Sequence, residues 1–376
     1  MDAAPRITAV EAIPVTVTGS RNFVISEGRT RVHTSTILRL RTEDEALEGI
    51  AEIVCAPPGK PEELPGEILD AVRNVVAPAL TGVAATDRRR GMALVGGRLK
   101  GRNWTKAAVN VAFHDLAAKL SGRSVSDMLG GRLHDRIPVI GTVIGIAAPD
   151  AMAEQAAATV AEGFSAVKIK IGDAVGTDID RVRAVREAIG NGPALRVDAN
   201  DHYDPADAVR LIRAIDDYDI EHVEQPVSRH DVLGMAEVRR AVGIPLMTDD
   251  MVATPEEAMM VIRLGAADRV KVKVTKHGLD GARLITDMLA AAGLKAVLGH
   301  VFEMGLAAVA EAHFAATATN LVGPHEIGSM RPMGSDADII TEDLAADPGF
   351  LRLPDGPGLG VTLDWDRISA MRADGA

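Results

Sequence analysis

VKIKIG at 167–172, RVDAN at 196–200, HVEQP at 222–226, LMTDD at 246–250 and RVKVKVTK at 269–276 decide how this chain folds. Each is a short run rich in β-branched or apolar residues that ends on charged side chains. Helical stretches lie between them: Asp178–Ile189, Pro205–Ile215, Val232–Val242 and Pro255–Leu264. Strands that alternate with helices of this length are parallel strands joined by crossovers. Working outward, Val139–Ile144 precedes the set, and Lys295–Leu298 and Asn320–Val322 follow it. With Ala166–Ile171, Ala194–Val197, Ile220–Val223, Pro245–Met247 and Arg269–Val274 the β runs number eight. That is the count of a closed (β/α)8 barrel. An open doubly wound sheet is the rival, and it lacks the Gly-rich phosphate turn after a first strand.

The residues before the barrel have a different texture. Ile7, Ala9, Glu11, Ile13, Val15 and Val17 alternate as a strand does, and Ser26–Arg29 interrupts them as a turn. Thr34–Leu40 and Glu48–Val54 are further β runs, so an antiparallel meander is expected. Helical spacing follows at Pro65–Val76, Asp87–Val95 and Lys106–Leu120. Strands first and helices after make an α+β unit. The expected organisation is an α+β capping domain at 1–130 and the barrel at 131–330. A segment at 331–376 returns to the cap through the turn Gly356–Val361.

Composition narrows the function. The chain has 376 residues, 47% hydrophobic and 25% charged, within the ordinary globular range. A net charge of −12 speaks against nucleic acid or an anionic membrane surface as partner. No apolar run is long enough for a membrane span, and no signal peptide is evident. The single cysteine, Cys55, cannot form an internal disulfide, and the expected location is the cytoplasm.

The strand ends carry the chemistry, because active sites of barrels lie there. Lys168 and Lys170 are two apart and share one face of a strand. Adjacent, partly desolvated ammonium groups lower each other's pKa, and a neutral amine serves as a general base. A solvated edge strand is the bland reading, which apolar Val167, Ile169 and Ile171 weaken. Asp198, Glu224 and Asp249 end the next three strands. Singly, each is a candidate helix N-cap. Together, three converging carboxylates need a cation, and hard oxygen donors with room for water suit Mg2+. Lys273 lies one module further on, across the barrel mouth from Lys170. A small carboxylate substrate between them would have an amine on each face of its α-carbon, and the metal would take up charge as an ene-diolate forms. Lys271 and Lys276 also fit an exposed basic turn.

In the set KIK, VDAN, EQP, TDD and the strand-six lysine, the chain resembles the enolase superfamily, in its muconate lactonizing enzyme subgroup. The helix TKAAVNVAFHDLAAKLSG and the closing GPGLGV extend the resemblance over nearly the whole chain. It implies that Lys170 and Lys273 are the acid/base pair, that Asp198, Glu224 and Asp249 bind Mg2+, and that Lys168 supports the electrostatics. It also implies substrate contacts from the N-terminal loop at Phe23–Arg29, and a homo-oligomer. The usual Asp-Glu after strand five is Asp249-Asp250 here, so Asp250 is a second candidate ligand, with Asn200 nearby as a supporting group. His300 sits where the mandelate racemase subgroup keeps a catalytic histidine, though that subgroup pairs it with a strand-six Asp and this chain has Lys273. A structural histidine and a substrate ligand are both open. Glu303 falls near a strand-seven glutamate and is a candidate to position Lys273 or the substrate.

The expected function is therefore a Mg2+-dependent racemase or epimerase of an amino acid or related carboxylic acid. Muconate-type cycloisomerisation and dehydration of a hydroxy acid share the same intermediate and stay as alternatives. Dipeptide epimerisation is disfavoured, because the family members that perform it have an Asp-x-Asp on strand eight where this chain reads NLVGPHEIG. A non-catalytic metal-binding scaffold is the reading from another class.

Overall fold

The structure, a computed structural model, describes residues 4–26, 28–55, 63–328 and 338–372. Glu27, in the loop expected to touch substrate, lies outside them, as do residues 331–337 and 373–376 of the expected C-terminal segment.

The N-terminal meander forms as the alternation predicts. Strands β1 (Ile7–Ile25), β2 (Gly28–Thr42) and β3 (Glu48–Val54) pair antiparallel in that order. β1 and β2 are long, 19 and 15 residues, so their hairpin reaches past the sheet and over the barrel. The helix Asn103–Leu120 covers β3, with Val109, Ala112, Phe113 and Leu116 fully buried. Gly49 is required at this contact, because a Cβ there would lie 2.2 Å from the carbonyl oxygen of Ala112.

A short strand, β4 (Arg136–Pro138), then leads to β5 (Ala166–Lys170), β6 (Ala194–Asp198), β7 (Ile220–Glu224), β8 (Leu246–Thr248), β9 (Arg269–Val272) and β10 (Lys295–Leu298). β5 to β10 form one parallel sheet in chain order. The two remaining barrel positions are thinner than the sequence suggests. At the first, Ile144 bridges Ile169 and Val139 bridges His325; at the eighth, Leu321 bridges Ala296. These parallel bridges close the ring, so the barrel has eight positions but six continuous strands. Gly141, Gly145 and Gly323 break the β character of the two thin positions, as Gly in a strand does. β4 instead pairs antiparallel with β12 (Phe350–Arg352), which pairs with β11 (Ala345–Asp347).

Three acids, Glu52 and Asp115 buried and Asp338 half-buried, join cap, barrel and C-terminal segment. Glu52 accepts hydrogen bonds from Ser35 Oγ (2.6 Å) and from the N–H groups of Met304 (3.0 Å) and Ala307 (3.1 Å), at the start of the helix Gly305–Ala315. Asp338 accepts from Gly305 N–H at 2.9 Å. Asp115 accepts from Ile50 N–H and Leu359 N–H, and from Lys119 Nζ. The helix Trp365–Met371 ends on β1, where Arg372 bridges Val15.

Candidate active site

The parallel register builds the site. Lys170 stands opposite Asp198, and Asp198 opposite Glu224, so three strand-end side chains form one row. β8 ends at Thr248, and Asp249 follows it. β9 ends at Val272, two residues earlier than the apolar run suggests, and Lys273 is the N-cap residue of the helix Val274–Ala291. One cavity at the barrel mouth is lined by Lys168, Lys170, Asp198, Asn200, Glu224, Asp249, Lys271, Lys273 and His300. Its upper wall is Phe23 and Ile25 from the hairpin and Val143, Val301 and Phe302 from the barrel loops.

Ion pairs fill the floor. Lys170 Nζ lies 2.6 Å from Asp198, and Lys273 Nζ 2.6 Å from Asp249. Lys168 lies 2.6 Å from Glu224, 2.9 Å from Asp198 and 2.9 Å from Glu326. Lys271 lies 2.5 Å from Glu224 and 2.7 Å from Glu326. The expectation of an exposed basic turn is overturned for Lys271 and Lys276, which are 1% and 3% exposed. Lys271 points inward by the same parity as Lys273. Lys276 turns under the site toward Asp250, at 3.4 Å.

The surroundings set unequal proton affinities. Burial pushes the Lys170 ammonium down; Asp198 opposes this, Lys168 adds to it, and the amine ends below its ordinary range. Burial acts on Lys273 as well, but Asp249 and Asp250 outweigh it and hold this ammonium above its ordinary range. Burial is also outweighed at Asp198, where Lys168 and Lys170 keep the carboxylate well below its usual range. Burial, then the charge of Asp198, raises Glu224 to about 7. For His300 burial lowers the imidazole to about 3, so the ring is neutral near pH 7, and its Nδ1 is buried without a partner.

The remaining candidates fall in different places. Asp250 turns away from the cavity lining toward Arg229, at 3.2 Å, and Lys276. Asn200 lines the cavity; its N–H donates to Asp198 at 3.0 Å, and its Oδ1 is buried without a partner. Glu303 accepts from Val301 N–H (2.8 Å) and Gly328 N–H (3.3 Å) and faces the buried Glu311 rather than Lys273. It shapes the loop that carries His300 and Phe302. Burial raises both carboxyl groups well above the usual range.

Two site residues escaped the sequence reading. Lys271 was visible by parity. Glu326 was not, because its run PHEIG has no β alternation to aim it. The tightest grouping of metal-type donors among the described residues is His222, Glu224 and Glu326, within 4.8 Å of one another. Lys168 and Lys271 each bond both glutamates there. Ammonium groups therefore supply the positive charge at that depth. Asp198, Glu224 and Asp249 open instead on the cavity, with hard oxygen donors and the spare Oδ1 of Asn200 beside them. That donor set fits a small, oxygen-seeking divalent cation.

With fold and site in view, the family is settled. Residues 9–130 match the mandelate racemase / muconate lactonizing enzyme N-terminal domain, and residues 151–367 the enolase C-terminal domain-like family; the chain belongs to this family and is an enolase-superfamily isomerase. It is 30% identical to the N-succinyl-L-Arg/Lys racemase of Bacillus cereus over 97% of this chain and 98% of that one. It is 29% identical to muconate cycloisomerase 1-2 of Acinetobacter lwoffii, over 100% and 97%. A dipeptide epimerase from Cytophaga hutchinsonii, solved with Mg and the dipeptide D-Ala-L-Val, superposes with a TM-score of 0.91 at 27% identity, covering 98% of each chain. No helix among the described residues is long and apolar enough to cross a membrane.

Proposed function

We propose that the chain is a racemase or epimerase of a small carboxylic acid, of the amino-acid type, with Lys170 and Lys273 as its acid/base pair and Asp198, Glu224 and Asp249 as ligands of Mg2+. The observation that carries it is the placement of the two amines. They line one cavity from strands four apart in the sheet order, β5 and the end of β9, with the carboxylates between them. A substrate α-carbon held there has an amine on either face. Lys170, whose ammonium its surroundings make the easier to deprotonate, is the amine that accepts the α-proton. Lys273, held protonated by Asp249 and Asp250, delivers a proton to the opposite face. The roles exchange for the other enantiomer. When bound, a divalent cation stabilises the negative charge that develops on the substrate carboxylate.

The charge count supports this reading. Four ammonium groups, those of Lys168, Lys170, Lys271 and Lys273, face four carboxylates, those of Asp198, Glu224, Asp249 and Glu326. A divalent cation then leaves two positive charges in excess, which a doubly charged ene-diolate neutralises. Dehydration needs an acid at the leaving group; burial keeps His300 neutral, so Lys170 or Lys273 would have to serve, and this reading is the runner-up. Muconate-type ring closure uses a single proton transfer and leaves the second amine without a task.

The relatives' activities on small carboxylates and the Mg-bound neighbour support the substrate class and the metal. A cytoplasmic homo-oligomer is part of the same proposal, and light scattering of the purified protein tests the assembly. The deciding experiment follows deuterium uptake at the α-carbon of each enantiomer of candidate acids in heavy water with Mg2+. Uptake from both, with product of inverted configuration, is expected. Lys170→Ala should abolish uptake from one enantiomer and Lys273→Ala from the other. Absence of exchange across amino, N-acylamino and hydroxy acids would sink the proposal.

A further inference from the structure

Lys273 sits at a seam. β9 ends one residue before it, and it is the N-cap residue of the helix Val274–Ala291. An N-cap side chain usually satisfies free N–H groups of the first helical turn. That of Lys273 is turned instead to Asp249 and the cavity. His277 anchors the turn in its place. The backbone N–H of Lys273 donates to His277 Nδ1 at 3.1 Å, and His277 Nε2–H donates to the Val252 carbonyl at 3.1 Å. Val252 lies in the loop after β8, where its N–H donates to the Asp249 carbonyl at 3.1 Å. One imidazole therefore spans the loop that carries Asp249 and the turn that carries Lys273. A backbone N–H only donates and a carbonyl only accepts, so both bonds hold only in the neutral ring with its proton on Nε2.

The turn needs such an anchor, because the helix behind it is interrupted. Gly278 has φ 68° and ψ 174°, outside the helical range, and the helix resumes after it. Asn110, from the cap helix Asn103–Leu120, serves the new start: its Oδ1 accepts the N–H of Asp280 at 3.1 Å. A Cβ at position 278 would lie 2.8 Å from that Oδ1, so both the break and the contact with the cap require glycine. Residues 273–277 are thus a single turn, too short to be stable on its own bonds. Lys276 adds a second tie, its Nζ 3.3 Å from the Asp249 carbonyl oxygen. Asp249 also has an anchor of its own, its N–H donating to Gln225 Oε1 at 2.9 Å. Lys170 takes its position from other elements. It lies within β5, and beyond it Gly172 lets the β1–β2 hairpin seat. Ser26 Oγ donates there to the carbonyl of Asn200 at 3.0 Å, and a Cβ on Gly172 would sit 2.4 Å from Ser26 Cβ.

We propose that His277 is a positioning residue for the amine of Lys273. By holding the turn in register with the Asp249 loop, it fixes where that amine stands relative to the substrate α-carbon. His277 is not among the described lining residues of the barrel-mouth cavity. It faces a separate groove of about 360 Å3 between the cap helix and the barrel, lined also by Lys106, Asn110, Thr254 and Asp280. The two share none of their described lining residues. The ring therefore reaches the chemistry through Lys273, and its loss acts on one face of the α-carbon. Misplacing a reacting group by about 1 Å costs up to about 100-fold in rate. The proposal rests on the proton-transfer reading of the previous subsection, and its test separates the two.

Two measurements on the full chain test it. The first needs no substrate. Nitrogen NMR of histidine-labelled protein, with the His277 signals assigned by their loss in His277→Asn, should show a protonated Nε2 and a bare Nδ1 at about pH 7. A protonated Nδ1 overturns the proposal. The second follows α-deuterium exchange with Mg2+ from both enantiomers of the acid that the parent exchanges fastest among amino, N-acylamino and hydroxy acids. Lys273→Ala identifies the enantiomer whose proton Lys273 takes. In His277→Ala, kcat for that enantiomer should fall about 10- to 100-fold and for the other less than about 3-fold, with KM little changed for both. An equal loss for the two, or none, overturns the proposal and leaves the proton-transfer reading standing. A parent that exchanges no acid overturns both. Asn at this position places Oδ1 near the site of Nδ1 and keeps the bond from Lys273, so His277→Asn should show the same one-sided pattern at smaller size. Should His277→Ala not fold, that pattern in His277→Asn decides.

Discussion

A single parity rule made most of the site legible at the scale of the residue. Side chains two apart on a strand share a face, so Lys168 with Lys170 and Lys271 with Lys273 had to point the same way. Three acids one strand–helix module apart had to meet at one rim. What the rule lacks is depth. It does not say that Lys271 is sealed between Glu224 and Glu326, or that Asp250 is shared among Arg229, Lys276 and Lys273 while Asp249 opens on the cavity. Two predictions belong here. Lys170→Ala should slow α-proton exchange of the enantiomer whose proton Lys170 takes by about 10²–10⁴-fold, the usual worth of a general base. Its melting temperature should change little, because Lys168 still pairs with Asp198. Retained exchange would remove Lys170 from the chemistry. Glu224→Gln tests the metal. A cation that binds the folded chain at 100 times its Kd raises stability by about 2.7 kcal/mol. The parent should show that gain in urea titrations with Mg2+ against EDTA, and the variant should show none; equal gains in both would remove Glu224 from the ligand set.

Elements were legible where pattern and length agree, and misjudged where they part. β5 to β10 are apolar, bounded by turns, and all present. The first and eighth barrel positions carry Gly141, Gly145 and Gly323 and close by isolated bridges instead of full strands. The reach of the β1–β2 hairpin was not readable from alternation, which gives facing but not where a long strand stops. Its seat on the barrel depends on Gly172, whose φ of +140° is a conformation other residues adopt at a cost. Gly172→Ala should lose about 1–3 kcal/mol of stability from backbone strain. The methyl group should also push Ser26 off Asn200 and raise KM about 10-fold by opening the apolar wall. Urea denaturation and steady-state kinetics on the best substrate check both. An unchanged KM would show that the hairpin does not cover the reacting acid.

The capping unit and the barrel behave as one molecule because buried acids tie them together, and that joint titrates. Glu52, on β3 of the cap, accepts the first N–H groups of the barrel helix Gly305–Ala315. Burial raises its carboxyl to about 7, against the opposing hydrogen bonds from Ser35, Met304 and Ala307. In the unfolded chain the same carboxyl has the ordinary value of 4.5. Between the two values the folded state binds the extra proton, so the contribution is fully present below about 4.5 and is lost as pH rises through about 7. At 1.36 kcal/mol per pKa unit the loss is about 3 kcal/mol. Burial raises Glu303 and Glu311 as well, and both are present in parent and variant alike, so they cancel in the comparison. Glu52→Gln keeps the shape without the ionisation. Urea denaturation from pH 5 to pH 8 should therefore show the parent losing about 2–3 kcal/mol more than the Glu52→Gln variant, with the gap growing steadily from pH 5 and levelling off above about pH 7. Parallel curves would mean that Glu52 is already ionised in the folded chain, with the helix N-terminus of Gly305–Ala315 offsetting its burial.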